Sequence, residues 1–285
     1  MRYGLPYKGS KNGIAKWIVD TLPEADIFVD LFFGGGAITH RAMEIGKYKQ
    51  FIINDIDARL PKLFIDCAYG KYTVENHPEW ISREEFNARK NEDAYIALVW
   101  SFGNNGKDYL YGKAIEEYKK AYHYAIVFND LTYAHEYSIP LIQSTETDTY
   151  KRYLDYSKQI RNMKHNMLEN FTRLLAFERL QSLQSLQSFG VDYQEVPIPE
   201  GALIYCDIPY SGTNCGKYQG FDHKRFYEWA EQQNNIYISE YEMPDCFIPI
   251  ARRTKQVLSA ANGNNYKAEE IIFTNKKTLE GSNIK

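Results

Sequence analysis

The first sixty residues show an order of apolar runs and polar stretches that predicts a βαβ unit. Apolar residues recur at helical spacing over residues 12–21, which predicts a short amphipathic helix. An apolar run over residues 26–32 predicts a strand that ends in three consecutive glycines, and a helix and a second strand at residues 51–53 follow. Strand, glycine turn, helix and strand in this order are typical of a dinucleotide-binding fold.

The middle of the chain has a different pattern, and strand signals return only towards the end. Polar helical segments dominate from about residue 61, and residues 151–188 are expected to form one long helical region. It contains the repeat LQSLQSLQS, whose period of three does not match 3.6, so a linker or a frayed helix end is an equal alternative. Apolar runs at 202–206, 235–239 and 269–274 predict three further strands, with a helix between the first two.

The simplest architecture for this pattern is an α/β sheet domain interrupted by an insertion. Residues 1–62 and 186–285 are expected to form the sheet domain. Residues 63–185 are expected to form the inserted, mostly helical domain.

Composition is that of a globular protein and excludes several other classes. Hydrophobic residues make up 44% of the 285 residues and charged residues 25%. No apolar run approaches the length of a membrane span, and the N-terminus lacks the apolar stretch of a secretory signal. The four cysteines form no CxxC pair, so we expect neither a disulfide scaffold nor a metal site, and we expect a reducing cytoplasmic setting.

A glycine motif follows the first predicted strand. Residues 30–36 read DLFFGGG, and Asp55 ends the next strand about twenty residues later. Glycines at this place let a ligand approach the backbone, and the acid can accept hydrogen bonds from both hydroxyls of a ribose. The spacing is not GxGxxG, so a structural turn capped by an aspartate is the alternative.

A second motif, YCDIPY at residues 205–210, comes directly after an apolar strand. Asp207 offers a carboxylate, Ile208 a backbone carbonyl restricted by the proline that follows, and Tyr210 an aromatic face. Two acceptors and one ring match a planar base with an exocyclic amino group. An ordinary exit from strand to turn is the alternative.

A third motif, PYKGSK, occupies residues 6–11 and opens a helix. A lysine on such a turn can bind an anionic group such as a carboxylate. Taken alone, the hexapeptide is explained better by a solvated lysine turn.

Taken together and in this order, the motifs resemble the Dam-type DNA adenine methyltransferases. That family has an N-terminal lysine motif, a glycine motif, an inserted target-recognition domain and a DPPY motif. They read here PYKGSK, DLFFGGG with NDID, roughly residues 61–185, and CDIPY; SFGNNGKDYLYG, GFDH and ISEY also match. The resemblance implies a Rossmann-like, S-adenosylmethionine-dependent methyltransferase sheet with a mostly helical target-recognition insertion. It also implies methyl transfer to the exocyclic amino group of a flipped adenine in DNA.

The resemblance further implies roles for individual residues. Lys11 would lie near the carboxylate of the cofactor, Asp55 would hold the ribose hydroxyls, and Asp192 would accept a hydrogen bond from the cofactor adenine. Asp207 and the carbonyl of Ile208 would hold the target amino group. The implied cofactor-binding residues are Tyr7, Lys11, Asp30, Phe32, Gly34, Gly36, Asp55 and Asp192. The implied catalytic residues are Asp207, Ile208, Pro209 and Tyr210, with Tyr210 stacking on the flipped base, and DNA contacts are implied for Lys8, Asn105 and Lys107.

Three positions depart from the family pattern. Asp30 stands where the family usually has Glu, Leu31 where it often has Pro, and Ile208 where DPPY has its first proline. The last change puts the rigidity of the loop in question but keeps the acid, the second proline and the tyrosine. We therefore expect an active site.

The charge distribution indicates where DNA would be contacted. The whole chain has a net charge of -3, but residues 151–179 carry seven basic side chains against three acidic ones. Lys158, Arg161 and Lys164 in this segment are expected to contact phosphates. A helix with one solvated basic face is the alternative.

Two other functions were weighed against DNA methylation. Methyltransferases that act on RNA or on a protein glutamine amide use related motifs, but they usually begin the last motif with Asn rather than Asp207. A DNA- or cofactor-binding protein without catalysis is the second alternative. We expect a monomer of bacterial or phage origin that acts on double-stranded DNA without metal or membrane, and a cognate restriction endonuclease is left open as a partner.

Overall fold

The computed structural model divides the chain into two compact units. The sheet unit comprises Gly13–Gly34, Ile38–Pro61 and Gln181–Lys285, and the helical unit comprises Met1–Asn12, Gly35–Ala37 and Lys62–Leu180. The residues described are 2–72, 79–160, 164–175, 177, 180, 185–210, 220–258 and 265–282, with the backbone alone at 255–258, 265–268 and 282.

A seven-stranded sheet forms the centre of the sheet unit within the described residues. Its strands are β1 (Ile27–Asp30), β2 (Gln50–Asn54), β3 (Leu186–Phe189), β4 (Leu203–Cys206), β5 (Ile236–Glu240), β6 (Phe247–Leu258) and β7 (Asn265–Asn275). Their order across the sheet is β3-β2-β1-β4-β5-β7-β6. The first five are parallel, and β7 runs antiparallel to both of its neighbours. The strand order reverses between β1 and β4, where an open parallel sheet has a crevice for a ligand at its carboxyl edge.

The central strands are buried because their sequences are nearly continuous apolar runs. Every residue of β4 and β5 is buried, as are the last three residues of β1. Side chains from these strands form one core cluster that includes Val29, Ile204, Ile238 and, from outside the sheet, Phe226. The strand ends that carry the polar motifs are therefore anchored in a well-packed core.

Eleven helices are present in the described residues. They are α1 (Ala15–Thr21), α2 (Ala37–Glu44), α3 (Arg59–Ala68), α4 (Arg83–Arg89), α5 (Ala94–Val99), α6 (Glu116–Phe128), α7 (Thr132–Glu136), α8 (Thr149–Gln159), α9 (Asn166–Leu175), α10 (His223–Glu231) and α11 (Lys276–Ser282). The helices α1, α10 and α11 belong to the sheet unit, together with α2 apart from its first residue, and α4 to α9 belong to the helical unit. Helix α3 begins in the first unit and continues into the second.

The helical unit has its own apolar core. Tyr122 and Ile126 of α6 pack with Tyr156 of α8 and Leu168 of α9 in one buried cluster. Asp148 directly precedes α8 and caps it, because its side chain accepts the backbone N–H of Lys151 at 2.8 Å.

The Rossmann-like α/β sheet predicted from the sequence is confirmed. A strand stands at each of the apolar runs 26–32, 51–53, 202–206, 235–239 and 269–274, and helix α10 lies between β4 and β5 as expected. Helix α2 ends before Gly46, whose positive φ of 63° suits a glycine after a helix.

The prediction of one long helical region over residues 151–188 is wrong. Helix α8 ends at Gln159, α9 covers Asn166–Leu175, and Leu186–Phe189 is the edge strand β3, paired in parallel with β2. The strand has a polar sequence because an edge strand buries little of its surface, so the apolar pattern does not reveal it. Residues 181–184 of the period-three repeat lie outside the described part of the chain.

The expected domain boundaries stay a prediction. The compact units divide the chain near residues 61 and 180 and group residues 1–12 and 35–37 with the helical unit. Within the described residues, no helix combines the length and the apolar character needed to cross a membrane.

Candidate active site

Strand β1 ends in a buried carboxylate at the glycine turn. Asp30 is 2% exposed, and the hydroxyl of Thr39 on α2 donates a hydrogen bond to its Oδ2 at 2.7 Å. Burial raises the pKa of Asp30 to about 7; the Thr39 hydrogen bond opposes this shift, and the charges of Asp207 and Asp55 add to it. The other oxygen, Oδ1, is buried and has no hydrogen-bond partner among the described residues. Such an oxygen is suited to a cationic group.

The carboxylate of Asp55, directly after β2, fixes the glycine turn. Its Oδ2 accepts the backbone N–H of Gly34 at 2.8 Å, and its Oδ1 accepts that of Asp57 at 2.9 Å. Gly34 has a φ of 50°, a conformation that glycine adopts readily. Asp55 is 3% exposed, so its carboxylate is held at the turn largely away from water.

The side chain of Asn54 joins the ends of three strands. Its Nδ2 donates to the carbonyls of Leu31 and Val191, each at 3.1 Å, and its Oδ1 accepts the N–H of Val191 at 3.1 Å. Asn54 is 1% exposed. A buried amide that is satisfied in this way holds the segments after β1 and β3 in place around β2.

Asp192, after β3, is paired with Arg225 of α10. The guanidinium contacts the two carboxylate oxygens at 3.0 and 3.1 Å and also hydrogen-bonds the side chain of Gln194. The same Asp192 accepts the backbone N–H of Gln194 at 3.1 Å. A bidentate pair fixes the plane and the orientation of the carboxylate.

Phe32 belongs to an aromatic cluster that links the glycine turn to α10. Its ring centroid lies 5.6 Å from those of Phe221 and Phe226 and 5.5 Å from that of Tyr193. Edge-to-face pairs of this kind hold rings in defined orientations. The ring of Phe32 is therefore positioned by residues that follow β3 and β4.

Strand β4 delivers the DIPY motif to the same edge of the sheet. Asp207 follows the buried Cys206 directly and is partly exposed. The Ile208 side chain is 2% exposed and lies in the apolar core of the unit, and the carbonyl of Pro209 accepts a hydrogen bond from Nε2 of His223 at 2.8 Å. Burial of Ile208 and the bond to His223 therefore restrain the loop where the family has another proline.

Tyr210 is held at its hydroxyl and at its ring. The hydroxyl donates a hydrogen bond to Oε1 of Glu270, a fully buried residue of β7. The ring centroid lies 4.4 Å from that of Tyr241, with the planes at 68°. Burial, together with the charges of Asp207 and Glu270, raises the pKa of Tyr210 well above its usual value, so the phenol is neutral at physiological pH.

In the helical unit, the N-terminal segment that contains the lysine motif packs against Gly35 of the glycine motif. The N–H of Leu5 donates to the carbonyl of Gly35 at 2.7 Å, and a Cβ on Gly4 would lie only 2.3 Å from that oxygen. A Cβ on Gly35 would lie 2.6 Å from the Cβ of Tyr7. The structure thus brings Tyr7 to the glycine motif, and this close approach requires glycine at both positions.

The other N-terminal candidates are also in the helical unit. Lys11 opens a 3₁₀ turn and is 9% exposed, whereas Lys8 is exposed and donates its backbone N–H to the carbonyl of Asn104 at 3.3 Å. Gly36 has a φ of 66°. The backbone of Lys8 is thereby attached to the loop that contains Asn105 and Lys107.

That loop, residues 101–108, is stiffened from within. The side-chain oxygen of Asn105 accepts the N–H groups of Lys107 and Asp108 at 2.8 and 3.1 Å, and its amide donates to the Asp108 carboxylate at 2.8 Å. Lys107 is exposed, and the neighbouring Phe102 is 67% exposed. Asn105 therefore shapes the loop, while Phe102 and Lys107 are presented to solvent.

The basic segment after residue 150 presents fewer charges than its sequence indicates. Lys158 and Lys164 are exposed, as predicted for phosphate contacts, but Arg152 is 6% exposed and donates to the carbonyls of Ile126 and Val127. Arg173 is partly buried and donates to the carbonyl of Leu5 at 2.7 Å. Arg161 and Arg179 lie outside the described residues.

The sheet and its polar edge define a Rossmann-like fold with a crevice for a ligand at the switch point. Asp30, Asp55 and Asp207 stand at the ends of three adjacent parallel strands, on either side of the switch point. Residues 7–262 match the family model D12 class N6 adenine-specific DNA methyltransferase, and the chain belongs to this family. A search among curated proteins found no match.

Family membership confirms the resemblance to Dam-type enzymes. The protein is an adenine-specific DNA methyltransferase, so it takes a methyl group from a donor cofactor and DNA as its substrate. This assignment favours DNA over the RNA and protein-amide alternatives, and an enzyme over a silent binding protein.

Three residues that bond candidate residues went unnoticed in the sequence. They are Thr39, Arg225 and Glu270, and none belongs to a motif. Asn54 is part of NDID, but its role in joining the strand ends was not predicted. The one available signal was Glu270, an acid directly before the apolar run IIF in a predicted strand. The others are polar residues in no recognisable pattern, and their partners become apparent only in the folded structure.

Proposed function

We propose that the methyl donor is S-adenosylmethionine and that the target adenine amino group is held by Asp207 and the carbonyl of Ile208. The observation that carries this proposal is the placement of Asp30, Asp55 and Asp207 at neighbouring strand ends. The first two acids border the glycine turn, and the third follows the strand across the switch point. One edge of the sheet thus offers acceptors for a cofactor and for an amino group.

The residues present fit this donor. The buried Oδ1 of Asp30, which has no hydrogen-bond partner in the described part of the chain, suits a cationic group, and S-adenosylmethionine carries both an ammonium and a sulfonium. Asp55, which borders the glycine turn, would accept hydrogen bonds from the ribose hydroxyls, and Asp192 would accept one from the adenine amino group. Phe32 and Gly34 would line the same turn. The cofactor roles of Tyr7, Lys11 and Gly36 stay predictions from the family resemblance.

The donor supplies an electrophilic methyl group, and the residues of the chain prepare the nucleophile. The lone pair of the adenine amino nitrogen is delocalised into the ring, which makes that nitrogen a poor nucleophile. Hydrogen bonds from its two hydrogens to Asp207 and to the carbonyl of Ile208 favour a pyramidal nitrogen with a localised lone pair. The negative charge of Asp207 also stabilises the positive charge that develops on the nitrogen during transfer.

Tyr210 and the loop around it supply orientation. The ring of Tyr210 stacks on the target base, which must leave the duplex to enter the pocket at a cost of a few kcal/mol. Positioning of the two reacting atoms accounts for much of the expected rate enhancement. After transfer the nitrogen carries one surplus proton, which leaves to Asp207 and from this partly exposed carboxylate to water.

DNA would be contacted by the helical unit. Exposed lysines at positions 8, 107, 158 and 164 are suited to phosphates, because each lysine bound to a phosphate releases counterions. Phe102, whose ring is exposed, lies on the stiffened loop that also contains Lys107. The backbone of Lys8 is hydrogen-bonded to the same loop. An aromatic ring there is suited to stacking on a base. Arg161 is proposed for the same role from the sequence alone.

The remaining features follow from the substrate. We propose a monomer that acts in the cytoplasm, where bacterial or phage DNA is found. A cognate restriction endonuclease stays an open partner.

The test is methyl transfer with donor labelled in the methyl group. Purified protein is incubated with labelled S-adenosylmethionine and double-stranded DNA, RNA or protein, and the DNA is digested to nucleosides. Label in N6-methyl-2′-deoxyadenosine from DNA is expected, and Asp207→Ala should lose it. Asp245→Ala is the matched control and should keep it, because Asp245 is an exposed acid of the loop before β6. Label that enters only RNA or protein contradicts the proposal. Mapping the modified adenines gives the recognised site.

A further inference from the structure

Glu270 is a fully buried carboxylate in the middle of an apolar strand. It precedes the core residues Ile271, Ile272 and Phe273 of β7 and stands opposite Arg253 of β6 in the strand pairing. Removing an ionised carboxylate from water is costly unless hydrogen bonds replace its hydration. Its contacts therefore bear directly on the stability and the geometry of this part of the sheet.

The hydroxyl of Tyr210 provides such a hydrogen bond across 60 residues of sequence. Losing a buried hydrogen bond is costly, because the groups left behind have neither each other nor water as a partner. The Tyr210 hydroxyl lies on the axis of its ring, so this bond fixes where the ring points but leaves rotation about that axis free. The edge-to-face contact with Tyr241, at 4.4 Å and 68°, restricts the rotation.

We propose that Glu270 is a positioning residue for methyl transfer, which holds the Tyr210 ring in the plane that receives the target base. The inference rests on the proposed function, in which Tyr210 stacks on the flipped adenine. Glu270 acts through Tyr210 and touches neither donor nor base. Its effect therefore falls on kcat and on the seating of the base, and donor affinity is unaffected.

The test compares variants that remove the two ends of this bond. Glu270→Leu removes the acceptor at similar volume, Glu270→Gln keeps an amide oxygen in its place, and Tyr210→Phe removes the hydroxyl and keeps the ring. Glu269→Leu is the matched control, because Glu269 is the exposed neighbour on the same strand and pairs with Arg252. The substrate is a duplex with the site found by methylation mapping.

We expect Glu270→Leu and Tyr210→Phe to lower kcat alike, roughly ten- to a hundredfold, because a small misplacement of the base has effects of this size. The double variant should be no slower than either single one, and Glu270→Gln should recover most of the loss. The affinity for S-adenosylmethionine should stay at the parental value in all of them. With 2-aminopurine at the target position, the stacked base is quenched in the parent and brighter in both loss variants.

Three results would overturn the proposal. The first is a parental kcat in Glu270→Leu or in Tyr210→Phe. The second is a double variant whose loss is the product of the single losses. The third is additive effects of the two changes on urea unfolding, measured without donor or DNA, since the two groups would then not interact in the native protein.

These outcomes remain distinct from a failure of the proposed function. If Glu270→Leu does not fold, Tyr210→Phe and Glu270→Gln still decide, because each leaves the packing volume nearly unchanged. A parent that labels no DNA adenine contradicts the proposed function itself. The unfolding measurements then still report whether Glu270 holds the Tyr210 ring.

Discussion

The acidic residues of the site are accommodated in three different ways. Asp192 forms an ion pair with the guanidinium of Arg225, and Asp55 accepts hydrogen bonds from two backbone N–H groups. Asp30 has one hydroxyl partner and is otherwise desolvated, so it is accommodated by taking up a proton. The three carboxylates thus have different surroundings, and burial raises the pKa of Asp30 to about 7.

The first prediction concerns the pH dependence of stability without donor. The pKa of Asp30 is raised to about 7 in the folded protein, so folded Asp30 keeps a proton that the unfolded chain has already lost above pH 4. Its contribution to stability therefore falls as pH rises from about 4 to about 7. Asp30→Asn removes this dependence, and with about 1.4 kcal/mol per pKa unit over the two units between pH 5 and pH 7, the gain at pH 8 relative to pH 5 is at most about 3 kcal/mol.

Urea unfolding of the parent and of Asp30→Asn at pH 5 and pH 8 checks this prediction. Other titrating groups, such as the buried His40, are shared by both proteins and cancel in the comparison. An equal difference between the two proteins at both pH values would show that Asp30 is ionised throughout.

The second prediction concerns Ile208, the departure from DPPY. In the proposed mechanism, position 208 contributes its backbone carbonyl to the reaction, and proline would keep that carbonyl. The buried Ile208 side chain also packs in the core, so Ile208→Pro should lower the melting temperature by several degrees. At a temperature where the variant is folded, kcat should stay within about tenfold of the parent, roughly 1.4 kcal/mol in barrier. Asp207→Ala should lose about a hundred- to a thousandfold.

Steady-state rates below the unfolding transition separate these effects. Ile208→Val is the control for packing, because it removes one methylene and leaves the backbone unchanged. A folded Ile208→Pro that is as slow as Asp207→Ala would mean that the N–H or the side chain of residue 208 takes part in the reaction.

Single residues were predictable where a motif carries them and unpredictable where a partner comes from a distant segment. Asp55 and Asp207 stand at strand ends, as the order of apolar runs implied. Glu270 reaches Tyr210 over 60 residues, and Arg225 reaches Asp192 over 33. Such pairs depend on which strands are neighbours, and the local sequence does not specify that order.

At the scale of secondary structure, the strands that the sequence revealed are the ones buried on both faces. The strands β1, β2, β4, β5 and the apolar half of β7 are continuous apolar runs. The two strands that were missed, β3 and β6, are the edges of the sheet. β6 includes Pro249 and two consecutive arginines and has a register shift between Pro249 and Ala251. Edge strands tolerate such residues because one side forms no ladder.

The third prediction concerns the joint between the strand ends. Asn54→Ala removes three hydrogen bonds and leaves backbone groups of Leu31 and Val191 unpaired in a buried place. This should cost about 1–3 kcal/mol for each buried group left unsatisfied. Because the same bonds hold the segments that carry Phe32 and Asp192, the affinity for S-adenosylmethionine should fall severalfold as well.

Asn275→Ala is the matched control for this joint. Asn275 is 2% exposed, and its amide donates to the carbonyls of Ala230 and Gln233. It is the last residue of β7, which runs antiparallel to β5, so it lies at the amino ends of the parallel strands, away from the candidate site. The Asn275→Ala variant should be less stable than the parent but should keep its affinity for S-adenosylmethionine, which is measured by calorimetry on folded protein. Equal losses of affinity in both variants would show that Asn54 acts on overall stability alone.

At the scale of the whole molecule, the net charge of -3 conceals an uneven distribution. The strand ends of the sheet unit carry Asp30, Asp55 and Asp207, whereas the basic segment 151–179 belongs to the helical unit. Burial changes the count within the basic segment, because Arg152 and Arg173 are used for backbone carbonyls. The charges available to phosphates there are fewer than the sequence shows, and this limits the electrostatic part of DNA binding.

The last prediction uses this distribution. Lys158→Gln combined with Lys164→Gln should weaken binding to any DNA sequence and reduce the slope of log K against log salt by up to about 1.8, at about 0.9 for each phosphate contact. Adding Arg161→Gln should reduce the slope by the amount of one further phosphate contact, and donor affinity should not change.

Lys224→Gln is the control and should keep the parental slope, because Lys224 is an exposed lysine of the sheet unit. Fluorescence anisotropy between 50 and 200 mM salt gives the slopes. A parental slope in the combined variant would assign this basic segment to solvent and leave the phosphate contacts to Lys8, Lys107 and the loop around Phe102.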